Sequence, residues 1–221
     1  SPGADDPAAC DTLITFSEVL ANSRKPITDV IELYNPNNFQ VDIGNWFVTD
    51  ERDKPCKWEI PSGTIIQPMN YLSFNEGHYV SDTLQFSSNE FGSAFSLSKG
   101  GEKVYLFSGT DEGMLKNYVS EYKFGATELY TSFGKYTSLS GETHDLQLES
   151  LSLGAKNSNA KLSPIIFKSI MYHPVEENYE YITLIYRTDS TINLYCEEFP
   201  EVTWKIEGFD FGNSPTEIIR E

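Results

Sequence analysis

The stretch Val30-Ile31-Glu32-Leu33-Tyr34-Asn35-Pro36-Asn37-Asn38-Phe39-Gln40-Val41-Asp42-Ile43 decides the fold. Ile31 and Leu33 point one way while Val30, Glu32 and Tyr34 point the other, the period of two that belongs to a strand. Asn35-Pro36-Asn37-Asn38 stops it, because Pro has no N–H to give to a ladder. The run Phe39–Ile43 then resumes.

The same punctuation recurs at strand-length intervals. Pro61-Ser62-Gly63 separates Trp58-Glu59-Ile60 from Thr64-Ile65-Ile66, and Gln67-Pro68-Met69-Asn70 turns the chain again before Tyr71-Leu72-Ser73-Phe74. Phe95 and Leu97 alternate with Ser96 and Ser98. Lys99-Gly100-Gly101-Glu102 follows, and Val104 and Leu106 take the alternation up again. This pattern predicts a tight hairpin joining about 94–98 to 103–107. Met114, Leu115, Tyr118, Val119 and Tyr122 fit a helical spacing, but the flanking β-formers and the Gly113 start favour a strand. Many short strands with high aromatic content predict an all-β fold, a β-sandwich.

At 221 residues the chain has room for one large domain, or for one domain and a partial second. It is 39% apolar and 14% aromatic, enough to bury a core, which excludes a mainly disordered chain. The formal charge is −17 (16 basic against 33 acidic residues), so non-specific binding to nucleic acid or to anionic lipid is excluded as a default. No run of 18 apolar residues offers a membrane-spanning helix.

The opening Ser1-Pro2-Gly3-Ala4-Asp5-Asp6-Pro7 lacks an initiator Met, a basic segment and an apolar segment. It suits a flexible tether as well as it suits a plain chain boundary. Cys10, Cys56 and Cys196 make an odd, sparse set with no CxxC and no metal-ligand spacing, and a disulfide framework is excluded. A single Cys10–Cys56 bridge fits an oxidising compartment, and inert thiols are the simpler reading.

Sliding the chain against itself by 151 positions aligns residues 14–43 with 165–194 without a gap. Ile14 meets Ile165, Phe16 meets Phe167, Val19 meets Ile170, Ile31 meets Ile182, Leu33 meets Leu184 and Ile43 meets Leu194. Trp58-Glu59-Ile60 meets Phe209-Asp210-Phe211, and Ile65-Ile66 meets Ile218-Ile219 after a two-residue insertion. The pattern reads as a divergent partial repeat. Such a copy leans on the first, dimerises, or is completed by residues beyond Glu221.

Taken together, Ile14-Thr15-Phe16-Ser17-Glu18-Val19, Ile31-Glu32-Leu33-Tyr34-Asn35-Pro36 and Val41-Asp42-Ile43-Gly44-Asn45-Trp46 come in the order and spacing of a lamin-tail domain. Ile60-Pro61-Ser62-Gly63-Thr64-Ile65-Ile66, Phe95-Ser96-Leu97-Ser98 and Gly101-Glu102-Lys103-Val104-Tyr105-Leu106 follow. Phe124-Gly125, Ser132-Phe133-Gly134-Lys135-Tyr136 and Gly154-Ala155-Lys156-Asn157 complete the set. Over about residues 12–157 the chain resembles that family, which implies an immunoglobulin-like β-sandwich with Trp46 plugging its core. The resemblance also implies a bacterial surface or secreted attachment, often beside a nuclease or phosphatase, with no catalytic residues of its own. The second copy departs from the pattern: Thr183 stands for the Glu, Tyr186-Arg187 for Asn-Pro, and Glu197 for Trp46.

No nucleophile elbow, zinc-protease motif, P-loop or dinucleotide fingerprint is present. His78, His144 and His173 lie far apart in sequence. Asp50-Glu51-Arg52-Asp53 and Asp111-Glu112 have the oxygen chemistry that Ca²⁺ wants but not EF-hand spacing, and read as solvated acidic loops. Tyr71, Tyr79, Tyr118, Tyr122, Tyr130 and Tyr136 are candidates for a sugar-stacking row, and by default are core or half-core residues.

The expectation is therefore a leader (1–11), a lamin-tail-like sandwich (12–157), a linker (158–164) and a divergent partial repeat (165–221). Its expected role is that of a non-catalytic, extracytoplasmic binding or adhesion module. The partner is a protein or glycan at the cell surface, with no direct nucleic-acid contact, no membrane insertion, no metal and no cofactor. The alternatives are a structural spacer, or an accessory domain of a surface enzyme such as a nuclease or phosphatase. The binding residues are left unassigned.

Overall fold

In the computed structural model of the chain, which describes residues 13–79, 95–172, 181–189, 191–196 and 199–203, the stretch quoted first forms two strands parted by a turn. These are β2 (Val30–Tyr34) and β3 (Val41–Asp42). Asn35 between them is fully buried. Its amide nitrogen donates to the carbonyls of Phe39 (2.9 Å), Ile66 (3.0 Å) and Gln67 (3.1 Å), and its oxygen accepts from the Asn37 backbone N–H at 2.9 Å. The turn is thus stapled to a strand thirty residues further on.

The chain divides into two units, Ser1–Ala160 and Lys161–Glu221. The first is built on two antiparallel sheets. One runs β11 (Thr143–Gln147), β10 (Phe133–Thr137), β1 (Thr15–Leu20), β2, β7 (Tyr71–Asn75). The other runs β5 (Trp58–Glu59), β4 (Phe47–Thr49), β8 (Gly101–Gly109), β9 (Leu115–Gly125). The short β3 pairs with β6 (Ile65–Ile66), and a single turn of helix, α1 (Glu76–Tyr79), follows β7.

The core lies between the sheets. Phe16, Val19, Ile31 and Leu33 come from β1 and β2, and Val48, Val104, Leu106, Tyr122 and Phe124 from the facing strands. Trp46, buried just ahead of β4, and Trp58 plug it, and Trp58 meets Phe74 edge-on at 5.0 Å. Each such side chain gains about 1.5–3 kcal/mol on leaving water, so these residues fix which face of each strand turns inward. Phe16 and Val19 are three residues apart yet both inward, because the β1–β2 register slips between Phe16 and Glu18 and leaves Ser17 as a bulge.

The expected hairpin of 94–98 with 103–107 is not formed. A turn does close there, with Gly101 N–H donating to the Ser98 carbonyl at 2.9 Å and Gly101 at φ 91°. Among the described residues, however, 95–98 is not a strand, because β4 and β9 occupy both edges of β8. Phe95 and Leu97 still point into the core. The ambiguous 114–122 segment is strand: β9 runs beside β8 for its whole length.

In the second unit β12 (Ile165–Met171) pairs with β13 (Tyr181–Tyr186), and β14 (Tyr195–Cys196) with β15 (Phe199–Thr203). Every β1–β2 register pair recurs in β12–β13 at an offset of 151: Phe16↔Leu33 becomes Phe167↔Leu184, and Val19↔Ile31 becomes Ile170↔Ile182. The slip recurs as well, between Phe167 and Ser169. Of the equivalents of core residues, Phe167 at 55% and Ile170 at 61% are exposed, while Ile165 and Leu194 are buried. The aligned Phe209–Phe211 and Ile218–Ile219, like the leader, lie outside the described residues.

Candidate functional site

The groups that sequence singled out for chemistry do not converge. His78 ends α1, its Nδ1 accepting the Asn75 N–H at 3.1 Å, while His144 is exposed on β11, 3.8 Å from Glu142. His173 and Cys10 lie outside the described residues. Cys56 is a free, half-buried thiol whose pKa is pushed up by burial and then by Glu59, the opposite of an activated nucleophile.

The 50–53 loop is arranged against a cation. Lys57 Nζ sits 2.6 Å from Asp50 and 2.5 Å from Glu51, and Lys54 reaches Glu51 at 2.8 Å. The hydrogen bonds from Lys54 and then Lys57 hold Glu51 down at about 2. These carboxylates already have ammonium partners. In the second loop the Glu112 N–H turns back to Thr110 Oγ1 at 3.3 Å. Among the described residues no three His, Cys, Asp or Glu side chains are grouped to hold a metal ion.

The tyrosines fall on different surfaces. Tyr122 is core, with its phenol raised far above its usual value by burial. Tyr71 stacks on Tyr34 at 4.7 Å at the far edge of the five-stranded sheet, and Tyr130 lies in a loop with its hydroxyl on the Arg24 carbonyl. The side chain of Tyr79 lies outside the described residues, and Tyr136 is half-buried on β10.

Tyr118 is the one that stands exposed on a sheet face. The β8–β9 register slips between Leu106 and Phe107, whose partners are Ser120 and Tyr118, so Val119 is a bulge. Val119 packs on the core, while Tyr118 and its partner Phe107 are turned to the outer face of the four-stranded sheet. There Tyr118 meets Phe107 edge-on at 5.8 Å and stays 44% exposed, with the Arg52 guanidinium 5.7 Å above its ring. Met114 and Leu115 are exposed at the start of the same strand. Tyr and Arg are the residue types that carry binding energy at interfaces. The outer face of an antiparallel sheet is ordinarily polar.

A second constellation, missed from sequence, lies on the outer face of the other sheet. Glu18 and Glu32 are register partners on β1 and β2, and both are 0% exposed. The segment 149–158 roofs them. Glu18 accepts from Ser132 Oγ (2.5 Å), Ser152 Oγ (2.8 Å) and the Ser152 N–H (3.1 Å). Glu32 accepts from the Gly154 N–H at 2.6 Å, and its second oxygen has no partner. Burial pushes the Glu32 carboxyl up to about 7; the Gly154 N–H opposes the shift and the charge on Glu18 adds to it. Asn157 fastens the roof, donating to the carbonyls of Ser17 (2.9 Å) and Lys135 (3.0 Å) and accepting from Ser17 Oγ (3.0 Å). Glu18 and Glu32 lie within strand motifs whose alternation gives no sign of their burial, because the roof that buries them is more than 115 residues downstream.

Two facing antiparallel sheets around a tryptophan-plugged core, with almost no helix, define an immunoglobulin-like β-sandwich. The family profile described as Lamin Tail Domain matches residues 8–124, and the chain belongs to that family. The match ends within β9, and β10, β11 and the roof continue the same unit. No curated protein and no solved structure matches the chain.

Proposed function

We propose that the chain is a non-catalytic, extracytoplasmic binding module of a bacterial cell-surface or secreted protein, recognising a protein or glycan. The observation that carries this reading is the exposed Tyr118, backed by the buried Phe107 and capped by Arg52, set on the outside of a sandwich by a β-bulge. A tyrosine held open beneath a guanidinium supports docking of an aromatic-accepting surface. The test is capture from a cell-envelope extract, with and without Ca²⁺, by the wild-type chain and by a Tyr118→Ala, Arg52→Ala double variant. A discrete, saturable partner lost with the double variant is the expected result. Clean capture of nothing overturns the binding reading in favour of a spacer.

The second unit is, on this reading, a divergent partial copy of the first. Support comes from the five shared register pairs and the shared bulge at an offset of 151, which alternating apolar residues alone do not dictate.

A further inference from the structure

Two carboxylates directly opposite on neighbouring strands repel one another, and here water is excluded from both. The groups that donate to them are neutral: Ser132, the Ser152 hydroxyl and N–H, and the Gly154 N–H, with the Ser17 hydroxyl a further, weaker influence on Glu32. A metal ion placed there would face these N–H and O–H hydrogens, so the arrangement rejects a cation. A proton meets the need instead, and the unpartnered Glu32 Oε2 is where it has room to sit.

We propose that the Glu18–Glu32 pair is a proton-operated latch on the roof formed by residues 149–158. With a proton on Glu32 the site holds one charge and the roof stays shut. When that proton leaves to solvent, a second charge arises beside Glu18 and must be hydrated. β1 and β2 cannot yield, being laddered on both edges and packed into the core on their other face. The roof can, since it is held by the side-chain and N–H bonds to Glu18 and Glu32, by Asn157 and by short ties within itself, such as Ser158 N–H to Ser152 Oγ at 3.0 Å.

The titratable groups around Glu32 leave it the one that responds. Glu18 faces it from β1, and Tyr71 on β7 has its phenol raised by burial first, then by Tyr34 and by the charge of Glu32. Across Glu18, β10 brings the uncharged Gly134, and the neighbouring Lys135 lies on the opposite face of the sheet, committed to Asp145 at 3.2 Å and to the ring of Tyr122. Lys156 on the roof is exposed. The carboxyl's rise from 4.5 to about 7 places the transition near neutral pH.

The test is amide hydrogen exchange of the full chain at pH 5.5 and 8.5, corrected for intrinsic rates. With Glu32 titrating at 4.5 when the roof is open and about 7 when shut, protection of the Ser152 and Gly154 amides falls about 30-fold between these conditions. In Glu32→Gln the protection becomes independent of pH, and in Glu18→Gln the fall is smaller and is complete at lower pH. Equal wild-type protection at the two pH values overturns the latch. So does a fall shared in full by the core amides of Ile31 and Leu106, which would mean that the roof opens only when the whole unit unfolds.

Discussion

Replacing Asn35 tests whether a buried amide, and not the neighbouring proline, organises the loops at one end of the sandwich. In Asn35→Ala the carbonyl of Ile66 loses its donor in a buried setting, at about 1–3 kcal/mol. The carbonyls of Phe39 and Gln67 and the N–H of Asn37 lose partners where water reaches in part, at roughly 0.5–1 kcal/mol each. The sum is a loss of about 2.5–6 kcal/mol. Asn35→Asp is nearly isosteric, but it replaces two donors with a carboxylate facing three carbonyl oxygens. It is therefore expected to be less stable than the alanine variant at pH 7, and to recover part of the loss in acid as the carboxyl takes up a proton. Urea unfolding followed by the fluorescence of the buried Trp46 and Trp58 reads all three chains. An aspartate variant at least as stable as the alanine variant at pH 7 would refute the reasoning.

Glu32 makes stability fall with rising pH. Its folded value of about 7 lies above the ordinary 4.5, so the folded state holds the extra proton between those limits, and the loss begins above about 4.5 and is complete just above 7. The expected fall is about 2–3 kcal/mol in urea unfolding between pH 5 and 8, and Glu32→Gln should remove most of it; an unchanged slope in the variant contradicts the assignment. At Gly109 an added Cβ would lie 1.9 Å from the Asn45 carbonyl oxygen, so Gly109→Ala should cost several kcal/mol by forcing β8 from the 44–46 turn. Gly113→Ala meets nothing closer than Glu59 at 3.5 Å and should cost only about 1 kcal/mol, from its positive φ; a thermal melt of both variants checks the order. Because burial raises its thiol pKa, Cys56 should react with iodoacetamide at pH 7 more slowly than a free cysteine, and alkylation at the free-thiol rate would show that the site is open.

Much of the sandwich was legible in the residues themselves. Ile31 and Leu33 face inward as their alternation requires, Trp46 plugs the core, and the residues matched at an offset of 151 share their pairing. The failures share one cause, partners distant in sequence. Gly100 and Gly101 mark a turn, but which strand lies beside β8 is settled by β4 and β9, not by the chain entering that turn. Tyr118 and Tyr122 have the same parity and would share a face in a regular strand; the slip at Val119 puts one outside and the other in the core. Glu18 and Glu32 read as solvent-facing until the 149–158 segment is laid over them.

That slip at Val119 gives β9 a division of labour along its length. Past it, Tyr122 and Phe124 are answerable to the core and cannot drift without loss of the fold. Before it, the positions around Met114, Leu115 and Tyr118 are released from that obligation. Together with a second slip, between Ser108 and Gly109, the one at Val119 works as a frame shift within the sheet, leaving half of a single strand free of the core while the other half keeps the architecture constant.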